Sequence, residues 1–218
     1  MARPRRVVVV AGTGTEVGKT FVGAAIALEF TSQRRHVLAR KPAQSFDPQD
    51  TSTDADVLGA ATSELSEVVC PPHRWYTVPM APPMAAAALG LDPFTIEDLA
   101  REVAESWPGD DATADIGLVE TAGGAWSPQA GDGKHVGHFA DALGADGVLL
   151  VADAGLGVIN AVRGALAALG TTRPVVVMLN RFDENDALHA ANRDWLVHVD
   201  HLTVVDDVSE AATALTTL

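Results

Sequence analysis

The 218 residues hold 15 lysines and arginines against 29 acidic side chains, a formal charge of −14, while 47% of the chain is hydrophobic. Such an acidic surface repels phosphate backbones and anionic headgroups, so nucleic-acid and membrane partners are not expected. A single cysteine, Cys70, excludes an internal disulfide and a zinc site of several thiolates. One domain spanning 1–218 is expected.

The basic start from Met1 to Arg6 leads into an apolar run that breaks at Gly12-Thr13-Gly14. That is not the pattern of a secretory leader, and a cytoplasmic location is expected. In chain order, β-branched runs over 6–11, 37–41, 116–120, 147–152, 174–179 and 202–205 predict strands. Between and after them, helical patterns cover 19–32, 53–61, 96–107, 137–143, 158–169, 187–195 and 208–215. Alternation of this kind predicts an α/β fold, a mostly parallel sheet flanked by helices on both faces. Pro71-Pro72 and the prolines from Pro79 to Pro83 predict irregular chain, and Gly131-Asp132-Gly133 predicts another break, unfavourable to helix at the histidines just beyond it.

The strongest local signal is Val7-Val8-Val9-Val10-Ala11 followed by Gly12-Thr13-Gly14-Thr15-Glu16-Val17-Gly18-Lys19-Thr20 and an apolar helix. Strand, glycine loop and helix start come in the order that a phosphate-binding loop requires, which makes the fold P-loop nucleotide-hydrolase-like. Backbone amides from Gly14 through Thr15, Glu16, Val17 and Gly18 would turn towards the phosphates, with Lys19 reaching the β and γ groups and the Thr20 hydroxyl serving magnesium. Thr13 occupies the first glycine position of the usual pattern, so the loop starts one residue early, at Gly12.

Five downstream segments carry further chemistry. Lys41 ends the second predicted strand, where a side chain faces the ligand crevice of an open parallel sheet, and Ser45 follows it. Asp54 opens a helix, with Asp56 as a nearby alternative ligand. Glu120 closes an apolar strand ahead of Thr121-Ala122-Gly123-Gly124, where P-loop enzymes keep an acid for the metal. After the next apolar strand come Asp153-Ala154-Gly155-Leu156-Gly157-Val158-Ile159-Asn160, a glycine-rich helix start suited to a carboxylate, and Asn180 closes the strand after that.

In this order the segments resemble dethiobiotin synthetase, whose phosphate loop reads Gly-Thr-x-Thr-x-Val-Gly-Lys-Thr, as Gly12 to Thr20 does here. Lys41-Pro42 with Ser45 is similar to that family's Lys-Pro-x-x-Ser, and Val119 to Gly124 to its Val-Glu-Gly-Ala-Gly-Gly. The prolines and alanines from Tyr76 to Ala88 are also similar to relatives. The resemblance implies ATP, magnesium, carbon dioxide and a diamino carboxylic acid, diaminopelargonic acid, as reactants. Lys19 and Lys41 then stabilise charge, Thr15 and Ser45 contact substrate, and Thr20, Asp54 and Glu120 hold magnesium. Gly123 lies against the substrate, and Asn180 contacts the nucleotide base. Leu156, Gly157 and Asn160 reach the substrate's carboxylate across the interface of a homodimer.

Three departures bear on substrate and base. Thr121 and Phe46 replace glycines beside the expected pocket, and 200–207 lacks the family's proline-bearing base loop. They keep open a paralogous ligase for another small carboxylate, as in the related cobyrinate amide synthases, or a nucleotide-dependent switch. His135 and His138 lack a thiolate partner and are not expected to hold a metal. Trp75, Tyr76 and Trp195 are expected to pack, and Glu64 with Glu67 to form a solvated face.

Overall fold

A computed structural model describes residues 3–109, 114–170 and 172–218, leaving the first two residues of the basic start outside it. The alternating elements form a six-stranded parallel sheet. Its strands are β1 (Arg6–Gly12), β2 (Val37–Arg40), β5 (Ile116–Glu120), β6 (Gly147–Asp153), β7 (Val175–Asn180) and β8 (Thr203–Val205), in the spatial order β2-β5-β1-β6-β7-β8. Two short strands, β3 (Gln44–Ser45) and β4 (Trp75–Tyr76), pair in parallel as a separate ribbon.

The period of two sorts β1 between two cores. Val7, Val9 and Ala11 face one, and Val8 and Val10 the other. On the first side lie α5 (Ile96–Glu105), α6 (Val136–Leu143), α7 (Val158–Leu169) and α8 (Ala187–His198); on the second lie α1 (Lys19–Ser32), α2 (Asp54–Thr62) and α9 (Val208–Thr216). Because both faces are covered, the strand interiors are hydrophobic on both sides, which is why they read as apolar runs.

Capping explains where several helices begin. Thr53 and Asp56 form a reciprocal capping box at α2, and Thr95 with Asp98 does the same at α5. The proline stretch is less irregular than expected: Pro82 starts α4 (Pro82–Ala88), since a proline at the first helical position forfeits no intrahelical bond. A further short helix, α3 (Ser66–Val69), follows α2.

Three other expectations need correction. His135 caps α6 and His138 lies within its first turn, so the glycines before them do not prevent helix; they end before it starts. Glu64 does not lie on a solvated face. Its carboxylate pairs with the buried Arg40 guanidinium at 2.6 Å and accepts from the Ala39 amide at 2.8 Å, while Glu67 is exposed. Trp195 is 45% exposed rather than packed away. Among the described residues, no helix is long and apolar enough to cross a membrane.

Candidate active site

At the carboxyl end of the sheet, β1 runs into the loop over 13–18 and α1 begins at Lys19. Gly18, with φ of 91°, makes the left-handed turn that lets the loop fold over the helix start. Glu16 adopts a positive φ of 57° as well. Lys19 is buried and curls back, its Nζ donating to the Gly14 carbonyl at 3.0 Å. Burial, and then the charge of Lys41, push Lys19 below the ordinary lysine range, against the pull of Glu120 and Asp54.

Four elements converge beside Lys19. The Thr20 hydroxyl lies 2.9 Å from both Asp54 Oδ1 and Glu120 Oε1, serving one of them with its single proton. Lys41, 3% exposed, sits between the same two acids, with Nζ 2.5 Å from Glu120 Oε1 and 2.6 Å from Asp54 Oδ2. Burial alone would lower the Lys41 pKa, but Glu120 and Asp54 outweigh it and hold the ammonium above the ordinary lysine range. Asp54 experiences the converse: burial would raise it, and the Lys41 charge with hydrogen bonds from Lys41 and Thr20 brings it below the usual carboxylate range.

Glu120 ends β5, in register with Val10 of β1, and the loop after it is pinned in turn. Gln129 is buried and bonds both ways with the backbone of Ala122, donating to its carbonyl at 2.8 Å and accepting from its amide at 3.2 Å. A Cβ on Gly124 would stand 3.2 Å from the Gly14 Cα, so that loop and the phosphate loop touch backbone to backbone.

A cleft of about 870 Å³ covers this cluster, and its walls bring together Thr15, Glu16, Gly18, Lys19, Thr20, Lys41, Ser45, Asp54, Glu120 and Gly123 from the sequence candidates. Gly14 and Val17 lie behind the wall, supplying carbonyls to Lys19 and Asn180. Asp56, the alternative to Asp54, is committed elsewhere, to the Thr53 cap and the Ser66 hydroxyl. Leu156, Gly157 and Asn160 stand outside this cleft; Leu156 is 91% exposed.

Gln44, Arg181 and Phe21 line the cleft without having been singled out by sequence. Gln44 was hidden in the variable part of Lys-Pro-x-x-Ser. Arg181 had one available signal, its place immediately after the strand-closing Asn180. It donates to the Glu16 carbonyl at 3.0 Å and pairs with Asp153 at 2.7 Å, bracing the phosphate loop from the far side.

The two bulky departures lie elsewhere. Thr121 is buried and turns into the sheet, its hydroxyl donating to the Val10 carbonyl at 3.3 Å. Phe46 packs edge-on against Trp75, with ring centroids 6.5 Å apart. Neither lines the cleft.

Asn180 is buried, and its Nδ2 donates to the Val17 carbonyl at 2.9 Å, so it holds the phosphate loop against β7. Asn180→Ala is therefore expected to weaken ATP, GTP and inorganic tripolyphosphate by a similar factor of about ten. Competition against a fluorescent nucleotide measures this, and a loss confined to one base would make Asn180 a base reader instead.

The donor set suits a hard divalent cation. Thr20, Asp54 and Glu120 offer oxygens only, and the buried Glu120 Oε2 has no hydrogen-bond partner. No group of three or more His, Cys, Asp or Glu side chains forms a complete protein cage among the described residues. Magnesium at nucleotide sites draws most of its ligands from phosphates and water, so two acids and a hydroxyl fit it.

Comparison with known proteins bears on the fold and on the family. A family profile described as an AAA domain matches residues 6–213. Among solved structures, a putative plasmid partition protein from Borrelia burgdorferi bound to AMPPNP superposes with a TM-score of 0.55, covering 94% of this chain and 87% of its own at 14% identity, which shows the shared fold. An ATP-dependent dethiobiotin synthetase from Rhodococcus erythropolis is 34% identical over 193 residues, 87% of this chain and 82% of that protein. One from a Caulobacter species is 39% identical over 166 residues, covering 73% and 68% respectively. Identity at that level along most of both chains, on a parallel sheet whose first loop ends in Gly18-Lys19-Thr20, makes this chain a member of the dethiobiotin synthetase family, ATP-dependent carbon–nitrogen ligases built on the P-loop fold.

Proposed function

We propose that this protein joins carbon dioxide to diaminopelargonic acid and closes the product into a cyclic urea at the expense of ATP, in the presence of magnesium. The observation that carries the reading is the Lys41 ammonium, buried between Asp54 and Glu120 in the same cleft as the phosphate loop. In this reading one amine of the substrate takes up carbon dioxide, and the carbamate oxygen attacks the γ-phosphorus as ADP leaves. The second amine then closes on the carbonyl carbon and expels phosphate.

No side-chain nucleophile is required, and the residues act by holding reactants and offsetting charge. The loop amides and Lys19 hold the triphosphate. Lys41 lies where negative charge gathers on the carbamate and the transferring phosphoryl group, in a water-poor site where a fixed cation counts most. Thr15 and Ser45 orient the substrate. Thr20, Asp54 and Glu120 would hold magnesium, which neutralises phosphate charge when bound.

Phe46 and Thr121 both turn away from the cleft, which favours the diamine over a different small acid. Leu156, Gly157 and Asn160 lie outside the cleft, and Leu156 and Asn160 are exposed, as an arm serving the site of a second copy would be; a cytoplasmic homodimer is part of the proposal. The test is phosphate release. Wild-type protein should release phosphate only when diaminopelargonic acid, bicarbonate, magnesium and ATP are all present, with a cyclic urea as the product by mass. Equal hydrolysis without the diamine would turn the reading towards a nucleotide switch.

A further inference from the structure

The segment between β2 and α2 brings Lys41, Gln44 and Ser45 to one wall of the cleft. The Lys41 ammonium is engaged by two carboxylates. Gln44 is different. It is 2% exposed, and its Oε1 accepts from the Ala55 amide at 3.0 Å, one residue past Asp54. Its Nε2 is buried and has no hydrogen-bond partner, and the Ser45 hydroxyl next to it is likewise unpartnered.

The orientation of this amide is fixed by its surroundings. Rotating it by half a turn would set two N–H donors against each other at Ala55, so the oxygen must stay there and the nitrogen must remain the free end. Nor can the segment slide, because Gln44 pairs with Trp75 and Ser45 with Tyr76 in the β3–β4 ribbon, and the Phe46 amide donates to the Tyr76 carbonyl at 3.0 Å. A buried donor without an acceptor is disfavoured, and a rigid one on the wall of a cleft marks a place where a ligand supplies the acceptor.

We propose that Gln44 is a specificity-determining residue, whose Nε2 donates to an oxygen of the carboxylated amine of the substrate. The assignment rests on the functional reading above. The loop amides and Lys19 already serve the phosphates, whereas Gln44 is tied to the start of α2 on the Lys41–Asp54 wall. A neutral donor there donates to a carbamate oxygen and disfavours an uncarboxylated ammonium, which has only hydrogens to offer. Gln44 thereby selects the form of the substrate that is ready to react.

Gln44→Glu separates this role from a purely structural one, because it keeps an oxygen for the Ala55 amide and replaces the donor with an acceptor. Steady-state kinetics with diaminopelargonic acid, bicarbonate and ATP should show the KM for the diamine and for bicarbonate raised about tenfold or more. Nucleotide affinity should remain near wild type, while the melting temperature falls because a carboxylate is now buried close to Asp54. Gln44→Leu, which loses both the tether and the donor, should show the same rise in KM with a lower melting temperature as well. A KM within about twofold of wild type in Gln44→Glu would overturn the inference and leave Gln44 as a tether for α2. Wild-type protein that neither binds nor turns over the diamine would sink the functional reading and this inference together. Wild-type turnover with an indifferent Gln44→Glu variant sinks the inference alone.

Discussion

Lys41→Ala is expected to lower diamine-dependent turnover by about 1000-fold, the scale on which a preorganised charge in a water-poor site acts. The variant leaves Glu120 and Asp54 facing each other without the cation that sits 2.5 and 2.6 Å from them. Losing the buried pair with Glu120 costs about 3 kcal/mol or more of stability, because an uncompensated charge stays behind, while the half-exposed Asp54 adds little. Magnesium should restore more of the melting temperature in Lys41→Ala than in wild type, since a cation bound to the native acids stabilises only the folded state. Nucleotide affinity should stay within about threefold of wild type, because Lys19 and the loop amides remain in place.

The contact between Lys41 and Asp54 sets a pH dependence. Asp54 is held below the usual carboxylate range, so its contribution to stability is complete above the unfolded-state pKa and is lost as pH falls through the lower folded value. In Lys41→Ala that depression disappears, and acid destabilisation should begin at a higher pH than in wild type. Thermal melts from neutral pH down to about pH 3, on the scale of model carboxylates, measure the displacement. Turnover close to wild type, or an unchanged acid limb, would remove Lys41 from the centre of the site.

The second large effect is expected from Gly18→Ala. A Cβ at this position would stand 2.1 Å from Asn180 Nδ2, and the residue has φ of 91°, a conformation strained for any side chain. The backbone term alone is on the order of 1–3 kcal/mol, and relief of the clash means moving either the loop or the asparagine that holds it. With the loop amides gripping the phosphates as proposed, nucleotide affinity should drop by about 100-fold or more. Gly90→Ala is the control. It has a similar φ of 69° but open space around its Cβ, so it should lower the melting temperature without changing nucleotide affinity. Equal nucleotide binding by Gly18→Ala and wild type would mean that the loop does not grip phosphate as argued.

Residues 6 to 32 show why the first part of the site could be read from sequence. Strand, loop and helix start are contiguous, and every chemical requirement of the phosphate loop is satisfied within nine residues from Gly12 to Thr20. Parallel strands announced themselves as apolar runs because both faces are covered. The helix ends were less legible, since α5 stops at Glu105 and leaves Trp107 to pack beneath Arg40, a contact made with another element. The environment of Glu64 is not local either, its buried partner Arg40 being 24 residues away.

The sequence by itself determined the parallel α/β architecture, the phosphate loop and the chemical types of the groups around it. Only the tertiary structure decided that Thr20, Lys41, Asp54 and Glu120 meet, that Thr121 and Phe46 turn away from the cleft, and that Gln44 keeps an unpaired donor on its wall. The physical reason lies in how far each kind of information reaches. Periodicity and capping act within a helical turn or a strand, whereas the Thr20 to Glu120 contact spans 100 residues and exists because β5 is inserted between β1 and β2.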